Sequence, residues 1–319
     1  MTVPDLSVEV AGIKLKNPVM PASGSFGFGE EYARFFDLNL LGAVVVKSVT
    51  LKPLAGNPPP RIAETASGML NSIGWQNPGL ELFLREKLPF LRRYTVPVIV
   101  NLAGYTVEEY AELAARLEEA GGIDGLELNI SCPNVREGGL AFGTCPRQAA
   151  AVTAAVRKSS SLPLIVKLSP NVARIEEMAG AVVEAGAEAI SLINTLTGMA
   201  VDLERRRPVL GNVVGGLSGP AIKPVALYQV WRVAQTVPVP VIGMGGIGSA
   251  RDALEFILAG ADAVAVGAAN FKDPLLMPKI IKGLEEYLVK ERIDRLADLT
   301  GKLSCPAGPP DGGLPGGCD

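Results

Sequence analysis

The stretch Glu127-Leu-Asn-Ile-Ser-Cys-Pro-Asn-Val135 has the composition of a buried strand that runs into a reactive loop. Leu126, Leu128 and Ile130 alternate with Glu127, Asn129 and Ser131, and Pro133 cannot continue a central strand. Cys132 stands between two carboxamides, Asn129 and Asn134. A thiol with an ordinary pKa of about 8.5 can accept a proton at neutral pH without being a permanent thiolate, provided a loop shields it. Most free cysteines are simply small buried hydrophobes, so the reading depends on the company Cys132 keeps. Histidine is absent from the chain. That excludes a Ser-His triad, a histidine general base and a His-ligated zinc. Acid–base work falls to Cys, Lys, Tyr, Ser or a carboxylate. The four cysteines, Cys132, Cys145, Cys305 and Cys318, form no C-x-x-C pair and no metal-ligand spacing.

A second set of polar residues closes a series of short apolar runs: Ser23-Gly24, Lys47-Ser48, Asn101, Asn129 to Cys132, Lys167, Asn194-Thr195, Gly245-Gly246 and Gly267-Ala268. Strand ends are often polar, but lysine is rarely buried without a partner. The glycines of Val241-Ile-Gly-Met-Gly-Gly-Ile247 and Ala263-Val-Ala-Val-Gly-Ala-Ala269 would let backbone N–H groups approach a phosphate. A cofactor anchored there would lay its ring near Lys47 and Lys167. Cations beside a flavin stabilise the charge of the reduced ring, and asparagines both donate to and accept from planar amides or imides. The residues by themselves indicate a phosphate-bearing cofactor, a planar polar substrate and Cys132 as base.

Those groups need a scaffold that brings many strand ends to one place. The apolar runs are Pro18–Ala22, Ala43–Val46, Val96–Val100, Gly125–Ile130, Leu164–Leu168, Ala189–Ile193, Pro240–Met244 and Ala263–Val266. Several are continuous rather than alternating, as in strands covered on both faces. Helical spacing falls between them at Thr106–Glu119, Ile175–Ala185, Val225–Gln235 and Ala250–Leu258, with Thr106 and Glu109 spaced as a capping box. Gly186 and Gly260 stand where helix-ending glycines belong. The pattern predicts an α/β fold, a single (β/α)8 TIM barrel, with a two-domain doubly wound sheet as the alternative. Residues 6–16 read as a β-hairpin turning at Ala11-Gly12 and closing one end. Residues 49–78 and 196–221 are too long for plain crossovers, and on a barrel both lie over the C-terminal face, where active sites are built. Residues 1–303 are therefore expected to be one domain, and 304–319 a flexible Pro/Gly-rich tail.

The chain of 319 residues is 48% hydrophobic and 20% charged, with net charge −3. Nothing in that balance suggests nucleic acid or an anionic membrane. No apolar run reaches the roughly 18 residues of a membrane helix, and the N-terminus lacks the pattern of a signal peptide. A cytoplasmic location with reduced thiols is expected.

Asn129-Ile-Ser-Cys-Pro-Asn134, Asn17-Pro-Val-Met-Pro-Ala-Ser-Gly24, Asn71-Ser-Ile-Gly-Trp-Gln-Asn77 and Gly243-Met-Gly-Gly246 together resemble dihydroorotate dehydrogenase, from the hairpin to about Glu286. The cysteine resembles the class 1 enzymes. Phe26-Gly-Phe-Gly-Glu-Glu-Tyr32 and Ala55-Gly-Asn-Pro-Pro-Pro-Arg61 look like the NAD-linked type B catalytic subunit. The resemblance implies FMN contacts at Ser23, Lys47, Ser48, Asn101, Asn129, Lys167 and Ile193, with Gly219, Gly245, Gly246, Gly267 and Ala268 at the ribityl and phosphate end. It implies dihydroorotate contacts at Lys47, Asn71, Ser72, Ile73, Gly74, Trp75, Asn129, Asn134, Asn194 and Thr195. Cys132 would take the proton from C5. Trp75 stands where leucine is common in the family, and Ala268 where threonine is common.

The resemblance also implies a partner, an electron-transfer subunit carrying FAD and a [2Fe–2S] cluster that reduces NAD+, and a catalytic homodimer within a heterotetramer. The chain itself has no clustered cysteines for iron–sulfur. The fumarate-linked type A enzyme would need no partner. Another FMN barrel acting on dihydropyrimidines would differ in substrate, a dihydrouridine synthase would need a basic RNA surface, and a non-catalytic barrel would be colourless.

Overall fold

Eight parallel strands form the central sheet of the computed structural model, which describes residues 3–131 and 139–304, the side chains of 139–141 excepted. They are β1 (Val19–Pro21), β2 (Val44–Val45), β3 (Val98–Leu102), β4 (Gly125–Asn129), β5 (Leu164–Lys167), β6 (Ala189–Leu192), β7 (Val241–Met244) and β8 (Ala263–Val266). Their order around the sheet is β1-β8-β7-β6-β5-β4-β3-β2. The N–H of Gly42 donates to the carbonyl of Val19 at 2.9 Å, so the two edges meet and the sheet rounds into a (β/α)8 barrel. Every residue of these strands is buried, because helices cover the outside and side chains fill the inside.

Alternation along each strand divides the core. Leu126 and Leu128 point outward into the large cluster under the helices. Inside stand Met20, Val45, Ile99, Ile165, Ala189, Ile242, Met244, Ala263 and Ala265, together with Val10, Ile13 and Leu15 from the N-terminal hairpin. That hairpin pairs Val8–Val10 with Ile13–Leu15 through Ala11 and Gly12, both at positive φ, and plugs the barrel as expected. Gly125 makes room for the plug, since a Cβ there would lie 2.8 Å from Ile13 Cδ1.

Carboxylates staple successive strand pairs at the plugged end. Asp124 accepts from the N–H of Val98 at 2.7 Å, Glu188 from Leu164 at 3.0 Å and Asp262 from Val241 at 2.8 Å. Burial raises the Asp262 pKa against the lowering effect of that N–H.

The helices follow the expected spacing with small shifts. In Val107–Ala120, Thr106 caps the N–H of Glu109 at 3.2 Å. Glu109 answers to the N–H of Tyr105 rather than of Thr106, so the box closes one residue early. Ser249 caps Ala250–Leu258. Pro146–Ser159 and Leu276–Glu291 complete the shell. The third strand begins at Val98, two residues later than expected, which places Asn101 inside it.

The two long connections meet in one antiparallel sheet. Its order is Leu196–Gly198, Gly215–Ser218, Gly68–Asn71 and Ile62–Thr65. It joins residues from the second and sixth β–α connections above the C-terminal ends of the barrel strands.

Candidate active site

Four inward residues form the last layer of the barrel interior: Asn101 on β3, Glu127 on β4, Lys167 on β5 and Ser191 on β6. Each lies two positions beyond, on the same face, an apolar residue or Gly125. All are at most 5% exposed. Register sets Asn101 opposite Glu127 and Lys167 opposite Ser191. Glu127 accepts from Asn101 Nδ2 at 2.6 Å through one oxygen and from Ser191 Oγ at 2.8 Å through the other. The Lys167 ammonium lies 4.0 Å from Glu127 Oε2 and donates to Ser23 Oγ at 3.3 Å.

The network continues toward the mouth. The Asn101 oxygen accepts from Ser48 Oγ and from Asn129 Nδ2, the latter at 3.4 Å. Asn129 also donates to Ser48 Oγ at 3.3 Å, and its own oxygen accepts from Ser131 Oγ at 3.3 Å. Asn194 Nδ2 donates to Ser131 Oγ at 2.8 Å, and Asn194 Oδ1 accepts the N–H of Thr195 at 2.8 Å. Tyr110, on the covering helix, donates to the Asn129 carbonyl at 2.7 Å and fixes the end of β4. Six sequence-predicted residues, Ser23, Ser48, Asn101, Asn129, Lys167 and Asn194, are thus joined in one network.

Other predicted positions surround that network. Lys47 is half-buried at the end of β2, where its N–H donates to the Gly27 carbonyl at 2.8 Å. Ile193 is buried beyond β6, and a Cβ on Gly245 would lie 3.4 Å from Ile193 Cγ1. Gly219 and Gly246 are neighbours, since a Cβ on Gly246 would stand 3.0 Å from the Gly219 oxygen. Gly219, Gly245 and Gly246 all have positive φ, which glycine adopts freely. Gly267 lies beside Ala22, and Ala268 opens the short helical turn Ala268–Phe271. These five positions end β7 and β8 and begin the helix after the loop sheet.

The loop sheet carries the remaining positions. Asn71 Nδ2 donates to the Gly216 carbonyl at 3.3 Å, and Gly216 lies against the Thr195 side chain. Asn171 bonds the Thr195 carbonyl at 3.1 Å and the Thr197 N–H at 2.9 Å. Ser72 is fully buried and accepts from Asn57 Nδ2 at 3.2 Å; Ile73 accepts the Asn57 N–H at 2.9 Å. Gly74 and Trp75 both have positive φ. The Trp75 ring packs back on Ala103 and meets Tyr105 edge-on at 5.3 Å. Cys132, Asn134 and the tail from Cys305 to Asp319 lie outside the described residues.

Glu127, Ser191 and Asn171 have no role assigned from the sequence. Glu127 had a signal: it shares the inward alternation of Asn129 on a strand with no reason to carry a buried acid. Among the described residues no group of three acidic, histidine or cysteine side chains could hold a metal ion, and no helix is long and apolar enough to cross a membrane.

The fold and the site define a (β/α)8 barrel whose mouth is a buried ring of amides, hydroxyls and lysine around one carboxylate, roofed by an antiparallel loop sheet. The family model "Dihydroorotate dehydrogenase" matches residues 5–288, and the chain belongs to that family. It is 61% identical over 303 residues to a protein of Geotalea uraniireducens named dihydroorotate dehydrogenase B (NAD(+)), catalytic subunit, covering 95% of this chain and 99% of that one. A protein of Geotalea daltonii with the same name is 60% identical over the same shares. A crystal structure of DHODH from Eimeria tenella, in complex with ferulenol, shares the fold at a TM-score of 0.79 and 23% identity, covering 93% of this chain and 88% of that one.

Proposed function

We propose that this chain is the catalytic subunit of an NAD-linked dihydroorotate dehydrogenase, oxidising (S)-dihydroorotate to orotate in pyrimidine synthesis. The carrying observation is identity of about three residues in five, over nearly the whole of both chains, to relatives of that name. FMN is the cofactor we assign to the barrel, 1–303, read as one domain. The donor set fits it: Lys167 and Lys47 can face an electron-rich ring edge, and Ser23, Ser48, Asn101 and Asn129 match the donors and acceptors of a planar imide. When bound, FMN supplies the hydride acceptor for C6 of the substrate.

The chain's own residues then divide the work. Ser23, Lys47, Ser48, Asn101, Asn129, Lys167 and Ile193 hold the ring; Gly219, Gly245, Gly246, Gly267 and Ala268 hold the ribityl phosphate. Lys47, Asn71 to Trp75, Asn129, Asn134, Asn194 and Thr195 orient the pyrimidine, and the loop sheet keeps water from it. Cys132 removes the C5 proton. Electrons leave through a partner subunit, for which we assign FAD and a [2Fe–2S] cluster, toward NAD+; the assembly is a homodimer of this chain within a heterotetramer, in the cytoplasm.

Two arms test this reading. Cys132→Ser should keep its flavin yet lose most dihydroorotate oxidation at neutral pH, because a serine hydroxyl is far harder to ionise than a thiol. Full activity in that variant removes Cys132 from its role. The unaltered chain alone should reduce an artificial acceptor but not NAD+, and efficient NAD+ reduction without a partner contradicts the division of labour.

A further inference from the structure

We infer that Glu127 is a positioning residue for the flavin site: its carboxylate is the counter-charge of Lys167 and sets the direction of the hydrogen bonds that run from β3 to the mouth. The inference rests on the FMN reading above for its redox consequence, but not for the ion pair itself.

Three observations carry it. Glu127 and Lys167 are 2% and 5% exposed, and charges so buried are kept only when paired and hydrogen-bonded. Among the described residues Glu127 is the one carboxylate at ion-pair distance from Lys167. Its two oxygens also reach across three strands, to Asn101 on β3 and Ser191 on β6, while Lys167 stands on β5 between them.

An ionised carboxylate only accepts. Asn101 must therefore turn its NH2 toward Glu127 and its oxygen toward Ser48 and Asn129. Asn129 is then obliged to donate toward Asn101 and to present its own oxygen to Ser131. One anion beneath the mouth thus decides which atoms of Asn101 and Asn129 remain for a ring above them. It also compensates the Lys167 ammonium, so that the field at the ring is that of a pair rather than of a bare cation.

Glu127→Gln tests this with nearly the same shape and no charge. In the flavin-loaded chain, the bound flavin should become easier to reduce, since Lys167 loses its counter-charge. The ratio of affinities for reduced and oxidised flavin should rise at least tenfold, about 30 mV for a two-electron couple. An unchanged potential and an unchanged flavin spectrum would overturn the inference. The second measurement needs no flavin. By thermal unfolding of the apo chain, Glu127→Gln should be less stable than the parent, and adding Lys167→Met should recover part of the loss. Additive losses, or a double variant that fails to fold where the single also fails, overturn the pairing. If the purified chain binds no flavin at all, the proposed function fails, while the apo measurement still decides whether the two charges are coupled.

Discussion

Gly216→Ala should damage substrate binding while leaving the flavin in place. Gly216 pairs with Asn71 on one side and Thr197 on the other within the loop sheet. A Cβ there would lie 1.9 Å from Thr195 Oγ1 and 2.6 Å from Thr195 Cβ. Carbon atoms in contact sit about 3.5–4.0 Å apart, so Thr195 must move by roughly an ångström, and rotating its hydroxyl away does not suffice. Asn171 holds the Thr195 carbonyl and the Thr197 N–H, which resists that movement. Overpacking of this kind costs about 1–3 kcal/mol. If the displaced Thr195 and Asn71 are substrate ligands, the cost appears as about 5- to 150-fold weaker binding, at 1.4 kcal/mol per tenfold. The assay is KM for dihydroorotate and Kd for orotate, beside the flavin content of the purified chain. Unchanged KM and Kd would refute the placement of Thr195 at the substrate. Loss of flavin with unchanged orotate affinity would assign the loop sheet to the cofactor instead.

Asn101→Leu should lower stability by about 2–3 kcal/mol, because it removes a hydrogen bond to a buried carboxylate and the acceptor of the Ser48 O–H; thermal unfolding of the apo chain reads it, and an unshifted melting curve contradicts it. Ala268→Thr should tighten flavin retention by up to about 1 kcal/mol, one neutral hydrogen bond, measured as the FMN dissociation constant; no change would leave the backbone N–H groups of that turn as sufficient. At Asp252, burial pushes the pKa up but is outweighed by Lys223, Ser249 and the Gly248 N–H, so the carboxyl is held below its ordinary value. A depressed carboxylate contributes stability that is present above the unfolded pKa of about 3.9 and is lost as pH falls through the lower folded value. Asp252→Asn should therefore flatten the acid limb of melting temperature against pH, and an unchanged limb would deny that this group contributes.

The scaffold was legible because the barrel strands are largely apolar on both faces and each apolar run is followed by a polar residue or glycine. That single pattern located β1 to β8 within about two residues and put Ser23, Ser48, Asn101, Asn129, Lys167 and Asn194 at one mouth. The third strand pairs with β2 from Val98, opposite Val44, and the Pro97 carbonyl accepts the Val44 N–H. The helix Pro146–Ser159 was hidden because alanines occupy both of its faces, and only Ala149, Val152, Thr153 and Val156 mark the buried stripe. What no local pattern could show was pairing between distant segments. The loop sheet joins Gly68–Asn71 to Gly215–Ser218, nearly 150 positions away, and Glu127 acquires its meaning only from strands on either side. Its place in the alternation was visible; its three partners were not.

The central claim is that this mouth holds FMN and oxidises dihydroorotate there. The most direct measurement is an anaerobic titration of the purified, flavin-loaded chain with dihydroorotate, following the flavin absorbance and the orotate formed. Bleaching should be complete near one equivalent, with one orotate released for each flavin reduced. A flavin that stays oxidised with excess dihydroorotate, but bleaches with another dihydropyrimidine, would contradict it.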